Sequence, residues 1–164
     1  MLSIVSTDTL PVPEIENPLA LEQQVCFALS VAARNVVAVY RPLLEPMGLT
    51  HPQYLVMLAL WQYEPVSVRD LSRMLRLDPG TLSPLLKRLE ASGLLRRNRD
   101  SRDERALAVT LTEKGRALRA DAEKIPPAVV AKLGMGLDEL RALHQSLTRV
   151  IEVAQAATAA EEVS

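Results

Sequence analysis

The chain has 164 residues, 48% apolar and 24% charged, which suits one domain of ordinary size with a buried core and argues against disorder over most of the length. Its one cysteine, Cys26, excludes an intrachain disulfide and a cysteine-rich zinc site; with His51 and His144 it makes no metal-ligand spacing, so no metal or cofactor is expected. The net charge of −1 hides an asymmetry: residues 1–66 carry −4, residues 67–119 carry +6 and residues 120–164 carry −3, so the middle third is either a polyanion-binding surface or a solvated helical one.

Only Phe27, Tyr40, Tyr54, Trp61 and Tyr63 are aromatic, so the core is aliphatic and the composition favours helices. The longest uninterrupted apolar run, Tyr54 to Trp61, is less than half of the roughly 20 residues of a membrane span, and no transmembrane segment is expected. The first residues lack the basic start of a signal peptide, and Pro11 and Pro13 interrupt their apolar stretch, which points to the cytoplasm.

In chain order, residues 1–17 have no sustained period and read as a mobile arm. From Pro18, apolar residues at spacings of three and four (Leu21, Val25, Leu29, Ala32, Val36, Val39, Leu43) predict a long amphipathic helix that Pro46 and Gly48 end. Thr50 and Gln53 form a capping-box pair ahead of a buried helix through Trp61. Ser67 caps a short helix with Val68, Leu71, Met74 and Leu75 on one stripe. Asp78 and Pro79 then start another, with Leu82, Leu85, Leu86 and Leu89 inside, Thr81, Ser83, Lys87 and Arg88 outside, and Gly93 as its stop. Beyond Gly93 the period changes to two: Leu94–Arg99 and Arg105–Thr112 predict strands around a charged tip, a basic hairpin. Thr112 caps a further helix predicted to bend at Pro126 and Pro127. A final helix after Gly136 carries an apolar seam of Leu140, Leu143, Leu147, Val150 and Ala154 and frays after about Ala157. Two partners for that seam stay open, the first helix of the same chain or a second subunit.

Two short helices joined by a tight turn and followed by a basic hairpin predict a mainly α fold with a small β-hairpin wing (α+β), a winged helix-turn-helix. Each part supplies one need of duplex recognition. A helix fits the major groove, where Thr81, Ser83, Lys87 and Arg88 can reach bases and phosphates. A wing carrying Arg96, Arg97, Arg99, Arg102 and Arg105 can follow the backbone into the neighbouring minor groove.

Asp103-Glu104-Arg105 followed by Leu111-Thr112-Glu113-Lys114-Gly115 resembles the DxRxxxxxLTxxG wing motif of MarR-family regulators. The segments Gln24–Leu29, Tyr40–Leu44, Pro52–Tyr54 and Asp78–Lys87 resemble the organic-hydroperoxide-sensing, OhrR-like branch, with similarity over residues 18 to 155. The resemblance implies a homodimer on double-stranded, near-palindromic operator DNA. It implies an arm over 1–17, an N-terminal dimerisation helix over 18–48, a DNA-binding domain over 49–115 and C-terminal dimerisation helices and tail over 116–164. It assigns the peroxide-reactive thiol to Cys26, a supporting hydroxyl to Tyr40 and a minor-groove contact to Arg105. Where the branch carries two further tyrosines, this chain departs from it with Ser30 and His51, whose polar groups replace the missing hydroxyls less ideally.

Four functions compete on the sequence: a repressor released by organic hydroperoxide through Cys26; a regulator released by a small hydrophobic or phenolic ligand, with Cys26 structural; a one-cysteine peroxidase; and a helical interaction protein. The peroxidase lacks an activating base, a glycine-rich loop or a nucleophile elbow beside the cysteine. The interaction protein leaves the concentrated wing arginines unexplained. The expectation is a DNA-binding regulator, not an enzyme.

Overall fold

The computed structural model describes residues 17–99 and 107–161, so the arm as far as residue 16 and the wing tip, with Arg102 and Arg105, lie outside the described residues. The chain divides into two units, Met1–Val36 and Val37–Ser164. In the first, a 3-10 turn (Leu21–Gln23) precedes helix α1 (Val25–Leu44), whose later turns belong to the second. The apolar period places the start of this helix at Pro18, seven residues too early. Gln24 is extended, and its side-chain amide donates to the carbonyls of Pro18 (2.7 Å) and Ala20 (3.2 Å), so a side chain takes acceptors that a continuous helix would give to backbone N–H groups. Val25–Met47 is long and apolar enough, by length and composition alone, to cross a membrane, which the count of uninterrupted apolar residues does not register. Arg34 and Arg41 lie within it, and an arginine at the centre of a span costs about 2.5–3.5 kcal/mol.

In the second unit α1 ends in a 3-10 turn (Glu45–Met47) at Gly48. Helix α2 (His51–Tyr63) opens with the expected capping box: the Gln53 N–H donates to Thr50 Oγ1 at 3.4 Å and the Thr50 N–H to Gln53 Oε1 at 2.9 Å. It buries Tyr54, Val56, Met57, Ala59 and Leu60 at the centre of the core, while Leu55 and Leu58 remain exposed. Strand β1 (Val66–Ser67) leads into α3 (Val68–Leu75) and α4 (Pro79–Ala91), and β2 (Leu95–Arg99) and β3 (Leu107–Leu111) form the hairpin. The sheet is antiparallel in the order β1-β3-β2, with Val66 opposite Val109 and Leu95 opposite Leu111. Leu71, Leu82, Leu86, Leu89, Leu95, Val109 and Leu111 close the core from these elements. Met74, placed on the inner stripe of α3 by its spacing, is 47% exposed.

Three short helices follow: α5 (Glu113–Ala117), α6 (Arg119–Ala122) and α7 (Ile125–Leu133). Pro126 and Pro127 start α7 rather than bending a longer helix, because first-turn residues need no N–H for the helical ladder. The last helix, α8 (Leu137–Glu161), continues past the predicted fraying point at Ala157, and none of its described residues is buried.

Candidate nucleic-acid interface

Local capping sets the helix-turn-helix. The Asp70 N–H donates to Ser67 Oγ at 3.0 Å to start α3, and the Thr81 N–H donates to Asp78 Oδ1 at 2.9 Å to start α4. The Thr81 hydroxyl also donates to Asp78 Oδ2 at 2.6 Å, and these bonds hold the Asp78 carboxyl below the usual carboxylate range. Helix α3 ends in paired bonds from the Arg76 N–H to the Arg73 carbonyl and from the Leu77 N–H to the Ser72 carbonyl. Arg76 takes the left-handed conformation there, φ +52°, where α4 uses Gly93, φ +71°, in the same arrangement. The outer face of α4 presents Thr81, Lys87 and Arg88 to solvent with Ser83 half-buried.

Charge counting over 67–119 overstates the cations available to DNA. Arg97 binds the Glu90 carboxylate, Arg116 binds Glu64, Arg119 pairs with Glu123, Arg73 pairs with Asp70, and Lys114 Nζ donates to the Ser92 carbonyl at 2.9 Å. Arg76 Nη1 donates to Gln155 Oε1 at 2.7 Å. Among the described residues of this segment, exposed cations outside such bonds are Lys87, Arg88, Arg96 and Arg69. Arg69, on α3, is an addition to the sequence-derived set; its signal is the outward position opposite Leu71. Arg99 ends β2, and Arg102 and Arg105 fall outside the described residues.

The Leu-Thr-Glu-Lys-Gly segment has a structural reason at each end. Leu111 is buried, and Thr112 accepts the Gly115 N–H at 3.0 Å while donating to the Gly93 carbonyl at 2.6 Å, which joins the start of α5 to the end of α4. A Cβ on Gly115 would lie 2.0 Å from the Leu94 carbonyl oxygen, so backbone packing demands glycine. The carbonyl of Gly115 accepts the Trp61 indole N–H at 2.8 Å, tying α2 to the base of the wing.

Cys26 and Ser30 are exposed, one turn apart, on the first part of α1. In the second unit, Tyr40 and His51 meet edge to face with ring centroids 5.0 Å apart, and Tyr40 lies 6.0 Å from Tyr54, which continues to Trp61 at 6.4 Å. Burial pushes the His51 imidazole below its usual range, which favours the neutral ring, and raises the Tyr54 phenol, as does the charge of Tyr40. A groove of about 470 Å³ at His51 is lined by Val37, Arg41, Leu49 and His51 among others. No cluster of metal-ligating side chains occurs among the described residues.

A profile of the MarR family matches residues 49–107. The HTH-type transcriptional regulator TtmR of Methylorubrum extorquens (strain PA1) is 49% identical over 80% of this chain and 68% of its own length. The organic hydroperoxide resistance transcriptional regulator of Bacillus subtilis (strain 168) is 38% identical over 82% of this chain and 91% of its own. The solved structure of overoxidised AbfR bound to DNA, a Staphylococcus epidermidis protein, superimposes with a TM-score of 0.67 and 33% identity, covering 82% of this chain and 94% of that one. CouR from Rhodococcus jostii RHA1 bound to p-coumaroyl-CoA superimposes with a TM-score of 0.69 and 27% identity, covering 80% and 94%. These likenesses cover more of the chain than the profile's segment, and the chain belongs to the MarR family of winged helix transcription regulators and is not an enzyme.

Proposed function

We propose that this regulator is a cytoplasmic homodimeric repressor that leaves a near-palindromic operator when organic hydroperoxide oxidises Cys26. The carrying observation is the exposed thiol of Cys26 in a chain 38% identical to an organic hydroperoxide resistance regulator. The two copies join through α1 and the apolar seam of α8. Helix α4 enters the major groove with Thr81, Ser83, Lys87 and Arg88, and the wing follows the backbone with Arg96, Arg99, Arg102 and Arg105, the last in the minor groove.

The thiolate of Cys26 attacks one oxygen of the hydroperoxide. The S–O bond forms as the O–O bond breaks, the alkoxide leaves and takes a proton, and Cys26 becomes a sulfenic acid. With no second cysteine in the sequence, that acid condenses with a small thiol or with Cys26 of the other copy, or oxidises further. The supporting hydroxyl is that of Tyr40, as the resemblance assigns it, with His51 beside Tyr40 and Ser30 one turn from the sulfur. A bulky adduct between the dimer helices then changes the separation of the two DNA-binding lobes.

A second reading has the groove at His51 as the effector site, its apolar wall and Arg41 suiting a phenolic or hydrophobic acid, with Cys26 structural. Selection of bound sequences from random duplex DNA, repeated with organic hydroperoxide and with phenolic acids, separates the two. The proposal expects palindromic sites with half-site centres about 10 base pairs apart, lost on adding hydroperoxide. Loss only with a phenolic acid moves the function to the groove.

A further inference from the structure

Two carboxylates at the base of the wing each accept a strand backbone N–H together with a guanidinium. Strand β2 is an edge strand of the sheet, and the Arg97 N–H points away from β3. Glu90, in the last turn of α4, accepts that N–H on Oε1 at 3.0 Å and the Arg97 guanidinium on Oε2, from Nε at 2.9 Å and Nη2 at 2.5 Å. On the other side, the β1–β3 register places residue 64 opposite Leu111, where the chain has left the sheet for α2. The Glu64 carboxylate takes the missing strand's place: Oε2 accepts the Leu111 N–H at 2.7 Å, while Arg116 binds both oxygens at 2.8 and 3.0 Å. Each carboxylate thus accepts one backbone N–H of a wing strand and two guanidinium bonds, the latter from the same strand residue at Glu90 and from Arg116 of α5 at Glu64, a geometry far more directional than an ordinary surface ion pair.

The two differ in what they join. Glu64 ties β3 to a core helix, whereas Glu90 ties β2 to the helix that faces DNA. Both members of the second pair are partly buried, with side-chain exposures of 35% for Glu90 and 24% for Arg97, and Arg97 donates its guanidinium inward on the strand next to exposed Arg96. We propose that Glu90 and Arg97 are positioning residues that fix the angle between wing and recognition helix, and that Arg97, although it lies in the basic wing, makes no contact with DNA. This rests on the reading that α4 and the wing contact one duplex. It separates the wing arginines into one that sets geometry and others that read.

The test measures affinity for a selected operator against salt concentration, with urea unfolding in parallel, for the parent, Glu90→Ala, Arg97→Ala, the double variant and Arg96→Ala. Each clamp variant is expected to weaken operator binding about tenfold, and the double variant no more than either one. The salt slope of Arg97→Ala should equal the parent's, while that of Arg96→Ala falls by roughly two per dimer if Arg96 binds a phosphate in each half-site. A lowered slope for Arg97→Ala with full affinity in Glu90→Ala makes Arg97 a phosphate contact and overturns the clamp. Full affinity in both variants overturns it equally. Should the alanine variants unfold, Glu90→Gln and Arg97→Lys, which each keep part of the bonding, are judged by the same slope criterion. A parent that selects no duplex removes the proposed function, a result distinct from any pattern among the variants.

Discussion

Helices α2 and α8 are both rich in large apolar residues, yet they meet opposite fates. In thirteen residues α2 buries six, Gln53 among them, whereas α8 runs for twenty-five residues with none buried among those whose side chains are described, and leaves Leu143, Leu147, Val150 and Ile151 on its surface. The difference lies in how the apolar residues are distributed and what surrounds them. Around α2 they face α3, α4 and the sheet within one chain. Along α8 they form a seam of three-and-four spacing whose large apolar residues are exposed, the pattern of a helix that packs on another helix. The lobe is therefore closed around α2, while the seam of α8 is the surface to which the proposed function assigns the second copy.

The largest effect that can break this contrast is a truncation in α2. Leu60→Ala should cost 2–5 kcal/mol in urea unfolding, a typical range of about that size for a fully buried leucine, whereas Leu147→Glu on α8 should leave the fold's circular dichroism intact and shift the protein towards monomer in sedimentation at micromolar concentration. A Leu147→Glu protein that sediments like the parent would mean the seam does not hold the dimer.

Next in size is the tie between α2 and the wing. Trp61→Phe removes the indole donor to the Gly115 carbonyl and should lower stability by about 1 kcal/mol in the same urea experiment. Smaller again is the left-handed turn after α3. Arg76→Gly relieves the Cβ of a non-glycine residue at φ +52° and should raise stability by up to about 1 kcal/mol; a loss instead would give weight to the Arg76–Gln155 bond to α8.

The smallest effect is pH-dependent. Hydrogen bonds from Arg97 lower the Glu90 carboxyl below its usual range, so its contribution is present above the pKa of an unfolded glutamate and is lost as pH falls through the lower folded value. Glu90→Gln should flatten part of the acid limb of stability against pH. An unchanged limb would mean that solvent screens the pair.

Capping is what sequence made legible. Thr50, Ser67, Asp78 and Thr112 each bind a backbone N–H three residues on, so the signal and its effect share one short segment. The hairpin and the Gly93 stop follow from equally local rules. Less local features were hidden. Strand β1 is two residues long and exists because β3 passes beside it. The partners of Arg97 and Arg116 sit seven and fifty-two positions away, so counting charges could not separate anchored arginines from free ones. Apolar period places the start of α1 too early because it says nothing of Gln24, whose amide competes for the carbonyls upstream. In the site, the outward faces of α4 were readable from the leucine stripe, while the meeting of Tyr40 with His51 depends on how α1 returns against α2 through the turn at Gly48.

The most direct test of the account compares Cys26→Ser with the parent on fluorescently labelled operator DNA by anisotropy, before and after organic hydroperoxide is added with a small thiol. The account predicts equal affinity at the start, release of the parent, and retention of Cys26→Ser on DNA. Release of Cys26→Ser to the same extent as the parent, or a parent that stays bound, would contradict it and leave Cys26 a structural residue.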